Sequence, residues 1–171
     1  NVAADPFVNA SITGANGGLV VLAADDPSMH SSQNEQDSRF FGSFAQIPYF
    51  EPSNQQEAYD IVREAFDVSE KHGVPVLVRV TTRLAHSRAG VVRCVETPRA
   101  QNPMKFPADA RRYVLLPAIA RRNYAELLVK TKTFEEESER SPYNVLEDGP
   151  DHSLGIIACG VAYQYVKEVF P

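Results

Sequence analysis

A polar segment that ends at Arg39 carries most of the side chains in this sequence that are able to bind a small ligand. Its hydrogen-bonding residues include His30, Ser31, Ser32, Gln33 and Asn34. Hydroxyl and amide groups of this kind donate to a bound anion or amide, and they form loops equally well. A histidine in such a segment either binds a ligand or is simply solvated. Both interpretations stay open from the sequence.

The position of this segment follows from the apolar run before it. Residues Leu19 to Ala24 form a short continuous apolar run between glycines and the Asp25–Asp26–Pro27 turn, which predicts a strand buried on both faces. The polar residues beyond it cannot repay their ordering entropy by burying apolar surface, so we expect an exposed loop that leads into a helix. Ligands of open α/β sheets bind just beyond the carboxyl ends of the strands, where this loop lies.

A second strand, Val74 to Thr82, is predicted by the β-branched, largely apolar sequence VPVLVRVTT. Arg83 and His86 come just after it, and the same argument places them near the ligand cleft. An ion pair with an acidic residue of the neighbouring loops explains these two side chains equally well.

Helices are predicted between and before these strands. The first, Asp5 to Thr13, has Asp5 as its N-cap and ends at Gly14. A second spans Asn34 to Ala45, and Pro48 to Phe50 is a short strand. Ser53 and Gln56 form a capping box for a third helix, whose apolar residues recur at helical spacing up to a C-cap at Gly73. The order strand, helix, strand, helix, strand predicts an α/β fold, a parallel sheet with flanking helices.

The second half of the chain is less regular. A proline-containing loop is predicted from Thr97 to Pro107, followed by helix from Ala108 to Arg140 that Pro117 breaks early and that packs as an arm over its neighbours. From Leu154 onward we expect a buried strand, a tight turn at Gly160 and the start of another helix.

The composition of the chain argues against several classes of ligand and location. The 171 residues carry a net charge of −5, which argues against nucleic acid as a ligand. No apolar run approaches the ~20 residues of a membrane span, and the start of the chain does not look like a signal peptide, so we expect a cytoplasmic protein. Cys94 and Cys159 are distant and form no CxxC pair, so no metal site is expected from this chain alone.

Four stretches carry a resemblance to a known family: DDPSMHSSQNEQDSR, EPSNQQEAYDIV, VPVLVRVTTRLAHSR and LGIIACGVAYQYVKEVFP. They resemble the alpha subunits of indolepyruvate ferredoxin oxidoreductases, which belong to the thiamine diphosphate-dependent 2-oxoacid:ferredoxin oxidoreductases. The resemblance implies that residues 1–95 are the later half of a transketolase-like pyrimidine-binding domain. It also implies that residues 96–150 are a linker and helical arm, and that 151–171 begin a second α/β domain.

The resemblance also implies an activity. The family converts arylpyruvates and coenzyme A to aryl-acetyl-CoA, carbon dioxide and reduced ferredoxin. Its intact enzymes use thiamine diphosphate, magnesium and [4Fe-4S] clusters, and the residues that bind them are expected outside this chain, so none should bind to the fragment, which should be inactive alone. A partner subunit, ferredoxin, coenzyme A and a 2-oxoacid are the implied partners, and we expect an oligomer.

Arg39 is the residue to which the resemblance gives a catalytic role. In the related pyruvate enzymes an arginine closes a polar segment after the corresponding strand, and Arg39 stands in that place, where it would hold the substrate carboxylate. The alternative is a surface arginine that pairs with Asp37 or Glu35. For the whole chain, the alternatives are a subunit specific for pyruvate or another 2-oxoacid, or a noncatalytic α/β module that binds a partner subunit.

Overall fold

The computed structural model describes residues 2–95, 99–109, 111–149 and 151–171. Three strands form one parallel sheet in the order β1-β3-β2, which confirms the predicted α/β fold. The strands are β1 (Val20–Asp25), β2 (Tyr49–Phe50) and β3 (Val76–Thr81). The helices are α1 (Ala4–Thr13), α2 (Arg39–Ala45), α3 (Gln55–His72), α4 (Thr82–His86), α5 (Pro117–Glu139) and α6 (Val161–Val169).

The central strand β3 is buried on both faces, as its sequence predicts. On one face Val76 and Val78 pack against Ile61 and Ala65 of α3. On the other face lies a cluster formed by Ala45, Ile47, Val74, Leu77 and Leu127. Leu127 belongs to α5, so the long helix contacts this face of the sheet.

Strand β1 differs from its prediction. It lies at one edge of the described sheet, and Leu22 is 64% exposed, so the prediction of a strand buried on both faces is wrong. A continuous apolar run indicates a strand but does not indicate whether other segments cover it.

The N-termini of three helices also differ from their predictions. Helix α1 begins at Ala4 with Ala3 as its N-cap, so Asp5 lies inside the first turn and accepts a hydrogen bond from Asn9. Helix α2 begins at Arg39 and not at Asn34. The N-cap of α3 is not Ser53 but Asn54, whose side chain accepts from the Glu57 backbone N–H at 2.9 Å.

The helix C-termini agree better with the sequence. Gly14 and Gly73 end α1 and α3, and both have positive φ, as expected of C-cap glycines. Lys71 and His72 in the last turn of α3 bind Glu137 of α5, at 2.7 Å each. This contact fixes α5 near the amino-terminal end of the sheet, since α3 leads directly into β3.

The C-terminal half contains less regular structure than predicted. Thr97 and Pro98 lie outside the described residues, and residues 99–107 contain no helix or strand. Helix α5 begins at Pro117, the favoured first position for proline, so the helix predicted from Ala108 is wrong for the described residues 108–109 and 111–116. The strand predicted from Leu154 is also absent in the described chain, where Ile157 is 98% exposed and residues 154–159 pair with no strand. Helix α6 follows the turn at Gly160, as expected.

In the part of the chain that the structure describes, no helix combines the length and apolar composition needed to cross a bilayer.

Candidate functional site

A cluster of charged side chains lies where the three strands end, at the edge to which the sequence assigns the polar loop. Asp25 is the last residue of β1, Glu51 follows β2 directly, and Thr82 follows β3. Because the strands are parallel, their carboxyl ends meet at one edge of the sheet. The loop between β1 and α2 connects to this same edge.

Arg79 lies at the centre of the cluster. Its side chain comes from the buried central strand and is only 4% exposed. Its Nε donates to the Asp25 carboxylate at 2.5 Å and its Nη1 to Glu51 Oε1 at 2.6 Å. Its Nη2 points toward the Gln36 carbonyl oxygen at 3.5 Å. One guanidinium therefore links the ends of β1 and β2 to the polar loop, and its buried charge is paired with two carboxylates.

Arg39 joins this cluster through two of the same carboxylates. Its Nε and Nη2 donate to the two Asp37 carboxylate oxygens at 2.8 and 2.5 Å, and its Nη1 lies 3.5 Å from Glu51 Oε2. Asp37 is in turn 3.8 Å from Arg79 Nε. The hydrogen bond from Arg39 lowers the pKa of Asp37, and Asp37 raises the pKa of Arg39. Arg39, Asp37, Arg79 and Glu51 thus form a ring of alternating charges, which we call the ion-pair ring.

Asp25 connects the ion-pair ring to the end of the loop. Its carboxylate accepts from the Ser38 backbone N–H at 2.7 Å and from the Ser38 hydroxyl at 2.6 Å. Burial raises the pKa of Asp25, but the hydrogen bonds from Ser38 and Arg79 outweigh burial and lower it overall. Asp25 therefore binds the N-cap residue of α2, which begins at Arg39.

Asp26 fixes the beginning of the loop. Its carboxylate accepts from the Thr82 hydroxyl at 2.7 Å and from the backbone N–H groups of Ser31 and Ser32 at 2.7 and 2.9 Å. These bonds, that from Thr82 first, hold the pKa of Asp26 well below its usual range. Between these contacts Ser28 and Met29 adopt positive φ, an uncommon conformation for residues other than glycine. Asp26 and Asp25, at the end of β1, therefore hold the beginning and the end of the loop.

The structure brings only part of the predicted site together. Arg39 lies in the ion-pair ring, with its guanidinium bound to Asp37, which matches the alternative interpretation of that residue. Ser31 contributes a backbone N–H to Asp26, and Asn34 donates to the neighbouring Glu35 carbonyl. The side chains of His30 and Gln33 are exposed at the tip of the loop.

Arg83 and His86 lie on α4, directly after the central strand, as the sequence predicts. Both side chains are exposed, and among the described residues neither forms an ion pair. Their proximity to a ligand therefore stays a prediction.

Comparison with known proteins places the chain in a family. Subunits named indolepyruvate oxidoreductase subunit IorA match 98% of the chain in several archaea. The Pyrococcus abyssi protein is 49% identical over 173 residues, and the proteins of Archaeoglobus fulgidus and Methanothermobacter thermautotrophicus are 45% and 44% identical over 169 residues. The chain belongs to the IorA family. It covers 26% to 27% of the length of these relatives. No family model and no solved structure matches the chain.

The cofactors of the resembling enzymes do not fit the described residues of this IorA segment. The ion-pair ring and Asp25 together carry three carboxylates against two guanidinium groups, an excess of negative charge that disfavours a diphosphate. The described residues contain no group of three or more side chains suited to a metal ion. The whole sequence has two cysteines, fewer than the four thiolates of a [4Fe-4S] cluster.

The sequence contains a signal for the buried charges of this site. Arg79 is the one charged residue inside the apolar stretch VPVLVRVTT, and a buried charge requires a partner. Asp25 and Glu51 each follow a predicted strand, where carboxylates of parallel strands converge. These positions indicate that Arg79 has carboxylate partners, and the strand order β1-β3-β2 in the structure shows which they are.

The contacts of Asp26 predict how the loop responds to acid. Because the pKa of Asp26 is lower in the folded protein than its ordinary value of 3.8, its stabilising effect is complete above that value and is lost as the pH falls below about 4. Thermal unfolding of the intact subunit between pH 7 and pH 3 should show this loss. The Asp26→Asn variant should unfold at a lower temperature at pH 7 and show a weaker pH dependence. Parallel pH profiles for the two proteins would contradict the role of Asp26.

Proposed function

We propose that this chain is a segment of an indolepyruvate ferredoxin oxidoreductase. The enzyme would oxidatively decarboxylate arylpyruvates with coenzyme A, releasing carbon dioxide and aryl-acetyl-CoA and passing two electrons to ferredoxin. The observation that carries the proposal is the identity of 43% to 49% to six relatives with one name, over 98% of the chain. The chain spans about a quarter of these relatives, so the activity belongs to the intact protein.

Within that enzyme, we assign Arg39 to the carboxylate of the 2-oxoacid. Asp37 occupies Nε and Nη2, so the substrate would approach Nη1, which faces Glu51. The Arg39 side chain is 38% exposed, so a ligand can reach it. A guanidinium has five N–H donors and can hold a second carboxylate while it binds the first. His30, Ser31, Gln33, Asn34, Arg83 and His86 are assigned to the surroundings of substrate or cofactor, at the same sheet edge.

The cofactors and partners are part of the same proposal. Thiamine diphosphate, which supplies the carbanion and electron sink for decarboxylation, would be bound with magnesium by other parts of the intact protein. The [4Fe-4S] clusters would also lie elsewhere. A partner subunit, implied by the word subunit in the relatives' names, would complete an oligomeric, cytoplasmic enzyme.

The assay that tests the proposal uses the intact subunit together with its partner subunit. Coenzyme A-dependent reduction of ferredoxin is measured with indolepyruvate, phenylpyruvate, pyruvate and 2-oxoglutarate. We expect the highest kcat/KM for the arylpyruvates. A preference for pyruvate would support the alternative substrate class, and no turnover with any 2-oxoacid would support a noncatalytic module.

The isolated 171-residue chain should behave differently from the intact enzyme. Because its described residues do not fit a magnesium diphosphate, we expect neither ferredoxin reduction nor tight binding of thiamine diphosphate. Isothermal titration calorimetry with thiamine diphosphate and magnesium tests this. Micromolar affinity for the isolated chain would show that the cofactor site lies within it.

A further inference from the structure

Arg79 is the buried member of the ion-pair ring, and the proposed function assigns it no role. It is too deeply buried to touch a substrate. Both carboxylates that contact Arg39 also contact Arg79. Glu51 presents Oε1 to Arg79 at 2.6 Å and Oε2 to Arg39 at 3.5 Å, and Asp37 bridges the two guanidinium groups from the other side.

We propose that Arg79 is a positioning residue that sets the orientation of the Arg39 guanidinium through Asp37 and Glu51. Arg39 has a long, partly exposed side chain, and such a side chain samples several rotamers unless its end is held. Asp37 belongs to the loop, and of the two carboxylates only Glu51 follows a strand directly. Arg79 comes from the rigid central strand and contacts both carboxylates, so it determines where they lie. The carboxylates in turn determine where Arg39 points.

The planar fork of Arg79 is what this role requires. Nε and Nη1 bind Asp25, at the end of β1, and Glu51, directly after β2, at the same time and in directions fixed by the guanidinium plane. A lysine supplies the same charge from a single point and cannot hold both carboxylates in these directions. The charge-conserving Arg79→Lys variant therefore tests geometry rather than charge.

The first test measures Arg39 directly, without turnover. In the intact subunit, Arg39 is modified with phenylglyoxal and the labelled peptide is quantified by mass spectrometry. We expect Arg39 to react about threefold faster or more in Arg79→Lys, because its guanidinium is released from Asp37 and Glu51. Glu137→Gln, which removes the ion pair with Lys71 and alters the contact with His72 at the other end of α3, is the control and should leave the rate unchanged. An unchanged rate in folded Arg79→Lys overturns the proposal.

The second test measures the consequence for the substrate, and it rests on the proposed function. In Arg79→Lys we expect KM for indolepyruvate to rise about tenfold while kcat changes less. If Arg79 acts through Arg39, Arg79→Lys should cause no further loss in an Arg39→Ala background, whereas independent effects would multiply. Multiplying effects overturn the proposal.

The two tests distinguish a failure of the positioning role of Arg79 from a failure of the proposed function. Faster labelling with unchanged KM upholds the positioning of Arg39 and refutes only its contact with substrate. A wild-type enzyme without 2-oxoacid turnover refutes the proposed function, and the labelling result still decides the role of Arg79. If Arg79→Lys does not fold, Glu51→Gln replaces it. That variant keeps the packing but removes the charge shared by the two arginines, and labelling at the wild-type rate would overturn the proposal.

Discussion

Replacing Arg79 with methionine is expected to lower the free energy of unfolding by about 3–5 kcal/mol, the largest effect of any single substitution proposed for this chain. The variant leaves Asp25 and Glu51, which are 5% and 10% exposed, without their shared partner. Removing one member of a buried ion pair costs this much because the remaining charge stays desolvated. The change in the free energy of unfolding is measured by urea unfolding of the intact subunit, with hydrogen exchange in peptides from this segment as the signal.

The matched control is Arg99→Met. Arg99 forms an ion pair with Asp67 of α3, but both side chains are partly exposed to solvent, at 38% and 44%. Exposed pairs contribute at most about 1 kcal/mol, so the control should lose less than that. Equal losses in the two variants would mean that Arg79 contributes no more than a surface charge does.

Replacing Arg39 with alanine is expected to reduce kcat/KM for arylpyruvates by roughly one to two decades. If its guanidinium holds the substrate carboxylate, the variant leaves that anion without a charged donor, at a cost on the order of 1.5 to 3 kcal/mol. Arg39→Lys keeps the charge and should lose less activity. The melting temperature should change little in either variant, because Arg39 is partly exposed and Arg79 still binds Asp25 and Glu51.

The opposite result for Arg39 is equally informative. The structure already pairs this residue with Asp37 through two hydrogen bonds. A clear fall in melting temperature for Arg39→Ala, with kcat/KM unchanged, would make the residue a structural link between the loop and Glu51. The substrate contact would then have to be sought at His30, Arg83 or His86.

The sequence predicted the elements that have strong periodicity. Strand β3 and helix α3 follow from a β-branched run and a helical apolar stripe, and Gly73 marks the boundary between them. The N-cap of α3 was wrong by one residue because Ser53–Gln56 and Asn54–Glu57 are overlapping capping patterns. In the structure the second pattern forms: the Asn54 side chain accepts from the Glu57 backbone N–H, and the Glu57 carboxylate accepts from the Ser53 backbone N–H at 2.7 Å.

The sequence predicts where the site lies, but not which side chains contact one another there. The loop at the end of β1 was predicted because its polarity excludes it from the core. The ion-pair ring depends on the strand order β1-β3-β2, which places Arg79 between Asp25 and Glu51, and hydrophobic patterns do not specify strand order. The prediction of a strand from Leu154 is wrong for a similar reason. A strand requires a neighbour to pair with, and local sequence does not say whether one is present.

Gly160 limits how this protein can evolve. A Cβ atom at this position would lie 2.6 Å from Oε1 and 2.7 Å from Cγ of Glu51, and its φ of 55° disfavours other residues. Any side chain there would push Glu51 away from Arg79 and so disturb the strand ends, although Gly160 lies 109 residues after Glu51 in the sequence. Natural variants with a larger residue at position 160 should therefore carry a shorter residue at position 51, so that the two sites covary across the family.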